Sequence, residues 1–217
     1  MSLTIWGRHT SSNVQKLLWG CAEMGVDYSR PDMAGKFGFT EEYLSMNPNR
    51  VVPTIDDDGF ILWESNACLR YLAEKHGRGT LWPEDPHVRA DADRWMDWQT
   101  ATFWPALRPV FHQLIRTPPD QQNRELIDQG IKASGEISAV LDAALADRPF
   151  VAGDEFTMGD IPIGGVIQRW YDMDIARPER PHLRAWYERL QERPGYAEHI
   201  MIPLQEAPGS ILLWVVK

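Results

Sequence analysis

Pro53 sits near the start of "NRVVPTIDDDGFILWES", Asn49 to Ser65, a run that otherwise reads as two β-rich arms around an acidic turn ending at Gly59. Proline cannot donate to a sheet ladder, so it is expected at an edge, a strand start or a bulge. A cis bond between Val52 and Pro53, of the kind found in tight turns, lets the chain leave the sheet plane at the strand's start. The N–H and C=O of Val52 are then free, and an extended, peptide-like ligand can pair with them as an added strand. The alternative is that Pro53 only protects a sheet edge from aggregation.

The residues before this hairpin mix strand and helix periods. A short strand "LTIWG" leads through the polar loop "RHTSSN" to an amphipathic helix "VQKLLWGCAEMG" that Gly25 ends. A second strand is expected in "VDYSRPDM", then an "AGKFGF" loop, a short helix "TEEYLSM" and a turn at "NPN". The hairpin hands over to a helix "SNACLRYLAEKHG", with Ser65 as its N-cap and Gly77 as its terminator. The order β-α-β-α-β-β-α predicts a small mixed sheet with helices over residues 1–78.

Gly79, Pro83 and Pro86 mark residues 79–87 as a linker. Everything beyond it, 88–217, reads helical. A long helix from Val88 to Arg116 is expected to bend at Pro105 and Pro109, and "QNRELIDQGIKASGEISAVLDAALAD" is amphipathic. Further helices cover about 157–174 and 178–191. The fold class is therefore an α/β module followed by an all-α module.

Among the 217 residues, 43% are hydrophobic and ten are tryptophan, ample for a core. A net charge of -9 argues against nucleic acid and anionic lipid as partners, since both need clustered Lys and Arg. The start "MSLTIWGRHTSSN" lacks a long apolar stretch and the late run "ILLWVV" is too short to span a bilayer, so the expectation is no membrane partner and a cytoplasmic location. Cys21 and Cys68 offer no disulfide framework and are read as core residues. The six histidines are scattered without a ligand spacing, so no metal site is expected.

Glu64 and Ser65 fall where a strand passes into a helix, where unpaired N–H groups and the helix dipole favour an anion. Ser65 adds a hydroxyl donor for a carboxylate, and Glu64 an acceptor for an ammonium group, so the pair suits the zwitterionic end of an amino acid. "VVPTI" followed by "ESNACLRYL" resembles the glutathione-binding signature of the cytosolic glutathione transferase family, and the likeness runs over nearly the whole chain. The resemblance implies a thioredoxin-like N-terminal domain and a helical C-terminal domain. It implies that Val52, freed by Pro53, pairs with the cysteinyl part of glutathione, and that Glu64 and Ser65 hold its γ-glutamyl end.

A thioredoxin-like module acting by its own thiols carries a CxxC pair after its first strand, and here that loop reads "HTSSN". The reacting sulfur then belongs to the ligand, glutathione as co-substrate. A hydroxyl just before the first helix can donate to a thiolate while the helix N-terminus stabilises its charge. Lowering a thiol pKa by about two units takes roughly 2.7 kcal/mol, the size of one charge-assisted hydrogen bond with help from the dipole. The family's serine-type sites resemble "SSNVQKL", which makes Ser11 the donor and Asn13 its neighbour. Thr10 and Ser12 are rivals, and simple helix capping is the competing role.

Relatives commonly read N-P-N-G before the valine-proline step, whereas this chain has "NPNRVVP" with Arg50 in the glycine's place. Lys36 or Arg50 is then the partner for the glycine carboxylate of glutathione, with Phe37 and Phe39 bordering the pocket. Phe103, Trp104, Phe111, Trp170 and Trp214 are candidate walls for a small-molecule, apolar electrophile, the role of any one competing with plain core packing. Thr157 and Asp160 form a capping box like the family's helical-domain motif, and Pro162 is expected to cost a helical hydrogen bond. The resemblance further implies a homodimer joined through the long helix at "RWMDWQTATFW". The expected reaction is transfer of glutathione to an electrophile, with peroxide or disulfide reduction as companions. The competing readings are a glutathione-dependent isomerase or dehalogenase and a non-catalytic binding module on the same fold.

Overall fold

In the computed structural model, which describes residues 2–204, β1 (Leu3–Trp6), β2 (Thr54–Asp57) and β3 (Phe60–Trp63) form an antiparallel sheet in that order. The register sets Ile55 opposite Ile5 on one side and Leu62 on the other. Asp58 and Gly59 make the β2–β3 turn with φ of 51° and 92°. Two positive φ values are what a type I′ hairpin turn requires and what an Asp-Gly pair supplies.

The expected strand in 26–33 runs parallel to β1 but pairs only as a bridge at Ser29. Ile5 and Gly7 donate to the carbonyls of Ser29 and Pro31 at 2.8 and 2.9 Å, and Ser29 donates back to Leu3. Pro31 has no N–H to return the next bond, so the ladder stops there.

Helix α1 (Ser12–Met24) ends at Gly25, in the left-handed conformation with φ 63°. It is not amphipathic in its setting, because every residue from Val14 to Cys21 is buried. On one side lies α3 (Ser65–His76), and on the other α7 (Asp160–Asp172) and α9 (Pro194–His199), the last of which the sequence reading did not foresee. Trp19 of α1 packs against Phe156 and Tyr196, and a Cβ at Gly164 of α7 would stand 3.0 Å from its ring. Cys21 and Cys68 are buried and unbridged, burial pushing each thiol up to about 12, as core residues.

α2 (Glu41–Met46) is capped by Thr40, and the helical half opens with α4 (Pro86–Trp98) and α5 (Trp104–Phe111). Where bends were expected at Pro105 and Pro109, the winding changes instead, with π turns at Gln99–Phe103 before Pro105 and at His112–Arg116 after Pro109. Prolines interrupt the donor row, and the wider turns absorb the register change. α6 (Arg124–Ala144) and α8 (Pro181–Gln191) complete the bundle.

α7 starts at Asp160 with Gly159 at its cap, rather than at Thr157. Asp160 still reaches back to the Thr157 N–H at 2.9 Å, and it also accepts from the Val151 N–H at 3.0 Å and from Trp186 Nε1 at 2.9 Å. Pro162 is thus the third residue of α7, where an N–H has no intrahelical acceptor, and the expected loss of a hydrogen bond does not arise.

Candidate active site

The Val52–Pro53 bond is cis and β2 begins directly after it, at Thr54. The bend is braced from the core side. Tyr43 Oη donates to the Val51 carbonyl at 2.6 Å and accepts from Thr54 Oγ1 at 2.9 Å, while Asn47 Nδ2 donates to Val51 O and Thr54 Oγ1 at 3.1 and 3.0 Å. Val52 is left out of this network: among the described residues neither its N–H nor its C=O has a hydrogen-bond partner. Gly7, at φ 150°, lies under Val52, and a Cβ there would come within 3.0 Å of Val52 Cβ and 2.5 Å of Val14 Cγ2. The loop after β1 therefore needs glycine for Val52 to sit where it does.

Glu64, not Ser65, occupies the N-cap of α3, in a left-handed conformation with φ 73° and ψ 109° and no side-chain cap bond. Such a conformation costs a non-glycine residue about 1–3 kcal/mol and concentrates at functional sites. No side-chain bond caps the first turn of α3, and Glu64 is exposed at its start. Ser65, buried as the first helical residue, accepts a hydrogen bond on Oγ from Lys16 Nζ at 3.2 Å. With that lone pair engaged from below, its hydroxyl proton is available to a carboxylate above the helix terminus.

Lys16 was missed by the sequence reading. It is almost fully buried on α1, and burial lowers its pKa to about 7, with Glu64 pulling it back up and Arg169 and Arg70 pushing it further down. It also donates to Asn66 Oδ1 at 2.9 Å, and Asn66 Nδ2 continues to the Met96 carbonyl and Thr100 Oγ1, each at 3.0 Å. Gln15, its neighbour, accepts from the buried Arg169 of α7 at 2.7 Å. The only hint was a Gln-Lys pair inside an otherwise apolar helical stretch, "NVQKLLWGCA".

Ser11 is buried at the N-cap of α1, and its hydroxyl makes no cap hydrogen bond, so the capping role weighed for it is not the one it plays. Its backbone N–H donates to the Arg8 carbonyl at 3.1 Å. Ser12 and the exposed Asn13 face a narrow cleft with Lys16, Gln99, Trp104 and Pro162. Lys36 is exposed in the 3-10 turn Gly35–Phe37, its ammonium 5.2 Å from the Phe37 ring, and Arg50 holds a left-handed φ of 57°, which is why glycine suits that position. Neither makes a hydrogen bond to the residues around Ser65. Of the apolar walls foreseen, Phe103, Phe111 and Trp170 are buried core, Trp104 alone lines the cleft, and Trp214 lies outside the described residues.

Residues 1–74 match the glutathione S-transferase N-terminal domain family and residues 102–194 the glutathione S-transferase C-terminal domain family. The glutathione S-transferase GstB of Escherichia coli is 40% identical over 206 residues, covering 93% of this chain and 99% of its own. The chain belongs to the glutathione S-transferase family. Glutathione S-transferase F13 of Arabidopsis thaliana is 33% identical over 90% of this chain and 94% of its own. Among solved structures, the theta class glutathione S-transferase of Xanthomonas axonopodis pv. citri, with glutathione bound, superposes with a TM-score of 0.90 at 47% identity, covering 94% of this chain and 99% of that one. The two-part fold of this glutathione S-transferase, a small sheet module with helices and a helical module, is the one the sequence predicted. Its free Val52 edge, the open α3 terminus and the unengaged Ser11 hydroxyl all belong to the half that matches the N-terminal family.

Proposed function

We propose that this glutathione S-transferase binds reduced glutathione along the Val52 edge, with its sulfur at Ser11 and its γ-glutamyl end at Glu64 and Ser65. The Ser11 hydroxyl, buried at the start of α1 and without a cap partner, is the observation that carries the reading. It donates to the thiolate while the α1 dipole favours the negative charge, and Asn13 borders the sulfur from the first turn. Val52 pairs main chain to main chain with the cysteinyl unit, held in place by Pro53 and the Tyr43–Asn47–Thr54 brace. Lys36 is the assigned partner for the glycine carboxylate. The thiolate then attacks a small-molecule electrophile, forming a carbon–sulfur bond as the leaving group departs.

The remaining assignments are part of the same reading. Residues 79–87 join a glutathione-binding domain, 1–78, to a helical domain, 88–217. A second copy of the chain is the partner that seats on the apolar groove between α4 and α6, where Trp95, Trp98, Ala101, Val140 and Ala144 converge and Val140 stands 54% exposed. No described helix is long and apolar enough to cross a membrane, and a cytoplasmic location accords with the family's use of a reduced thiol.

The test is a calorimetric titration with reduced glutathione between about pH 6 and 9, on the natural chain, Ser11→Ala and Ser65→Ala. Proton release on binding that disappears in Ser11→Ala, and weaker binding in Ser65→Ala, are the expected results. Unaltered proton release in Ser11→Ala would assign the thiolate to another donor, Thr10 or Ser12 first.

A further inference from the structure

The chain carries a net charge of -9, and many of its arginines are neutralised in place: Arg30 by Asp32, Arg70 by Asp93 and Asp97, Arg148 by Asp91, Arg193 by Glu23. Arg8, Arg108 and Arg116 are among those with no ion-pair partner among the described residues, and Arg108, His112 and Arg116 recur at four-residue spacing along one side of α5 and the π turn that follows it. The Nε atoms of Arg8 and Arg116 are buried without any hydrogen-bond partner. Burial first, then Arg8 and Arg108, lower the proton affinity of Arg116, and burial, then Arg116 and Arg108, lower that of His112. No carboxylate among the described residues acts on Arg8, His112 or Arg116 in the opposite sense.

This cluster borders the site. Arg8 is three residues from Ser11 and its carbonyl accepts the Ser11 N–H at 3.1 Å. Arg108 and His112 line, with Trp104 and Thr100, a cleft of about 490 Å³. Trp104 is shared, since it also lines the narrow cleft with Ser12, Asn13 and Lys16. Like charges gathered on low-dielectric walls without counter-charges are unfavourable in the empty protein and create a focused positive potential. Both carboxylates of glutathione have assigned places elsewhere, at the α3 terminus and at Lys36. The charge left over faces the second substrate.

We propose that the electrophile is an anion, a small aromatic or aliphatic molecule with a carboxylate that docks on Arg108, His112 and Arg116 and an apolar body that lies on Trp104. This replaces the wholly apolar electrophile expected from sequence, and it rests on the reading of Ser11 as the sulfur site. With an aryl halide the thiolate sulfur adds to the ring carbon bearing the halogen, the carbon–sulfur bond forms, and the carbon–halogen bond breaks with both electrons leaving on halide. The thiol proton has already passed to solvent when the thiolate formed, so no oxidant or further reactant is needed.

A matched pair of probes isolates the charge: chlorodinitrobenzoate with chlorine para to the carboxylate, and the same ring with a carboxamide there. Each kcat/KM is divided by the uncatalysed rate constant with glutathione. The proposal expects the carboxylate to be favoured by about tenfold or more, worth ~1.4 kcal/mol, and the preference to shrink as salt rises. In Arg108→Gln and Arg116→Gln the carboxylate's kcat/KM falls at least several-fold more than the carboxamide's, through KM, whereas Arg116→Lys keeps most of the preference. Arg108 is exposed, so its variant tests the idea even if Arg116→Gln folds poorly. Equal corrected rates for the two probes would overturn the proposal. So would variants that raise the KM for glutathione and slow both probes alike, which would give the cluster to the glycine carboxylate of glutathione. Failure of the natural chain to bind glutathione in the titration above would remove the Ser11 reading and this proposal together.

Discussion

Lys16 Nζ reaches Ser65 Oγ at 3.2 Å, joining α1 to the first residue of α3, where the carboxylate of the γ-glutamyl end is proposed to sit. Its folded pKa of about 7 lies far below the 10.5 of an unperturbed lysine, chiefly through burial. Between those two values the unfolded chain holds a proton that the folded chain has released, so this residue makes stability rise with pH, by at most ~1.4 kcal/mol per unit. Below about 7 both states are protonated and the full burial penalty is felt. Lys16→Met is expected to be more stable than the natural chain at acidic pH, with the gap narrowing as pH climbs from about 7 toward 9. Urea midpoints measured across that range check it, and a gap that does not change with pH would show that Lys16 does not titrate there.

Glu64→Gly is expected to raise stability and lower affinity together. Glycine accepts φ 73° without the side-chain clash, a relief of about 1 kcal/mol set against a more flexible unfolded chain. The same change removes the carboxylate proposed for the γ-glutamyl ammonium, so glutathione binding should weaken about tenfold or more. Melting curves and titrations on one preparation decide it, and a variant that melts lower would mean the conformation is not strained.

Asn66 and Thr100 should be energetically coupled. Asn66 Nδ2 bonds Thr100 Oγ1 at 3.0 Å while its oxygen serves Lys16, so Asn66→Ala leaves a buried ammonium short of an acceptor and is expected to cost about 1–3 kcal/mol. Thr100→Val should cost less. A double-mutant cycle with Asn66→Ala should return a coupling of about 0.5–1.5 kcal/mol, and additivity would deny the contact.

Asp160→Ala removes the acceptor for four buried donors, the N–H groups of Val151 and Thr157, the Thr157 hydroxyl and the Trp186 indole. Each orphaned donor costs about 1–3 kcal/mol, so a loss of several kcal/mol in urea unfolding is expected, with no change in the KM for glutathione of whatever remains folded.

What sequence could show was the local chemistry. Pro53 at a strand start, Asp-Gly in the hairpin and Gly25 after α1 each demand a backbone conformation that few other arrangements satisfy, and each stands where expected. Ser65 was placed one step wrong because cap preference favours serine, and a left-handed backbone at Glu64 is not something local propensity signals. The strand expected at 26–33 pairs only as a bridge at Ser29, because Pro31 has no N–H to return the next bond. Lys16, Arg8 and Arg116 were passed over for a different reason. A charged residue in a helical pattern is read as surface, and only the packing of α7 and α9 onto the second side of α1 reveals that Lys16 has none.

The bonds from Lys16 through Asn66 to Met96 and Thr100 tie α1 to the start of the helical half, and the bond from Arg169 to Gln15 joins the two family-matched spans directly. Cutting the chain between residues 79 and 87 would not release two free-standing parts. The first would present α1 to water with a lysine and a glutamine amid Leu, Trp and Cys, and the second would lose the acceptor that its buried Arg169 donates to. Although the halves match separate families, they share the burial of α1, so they are expected to unfold together.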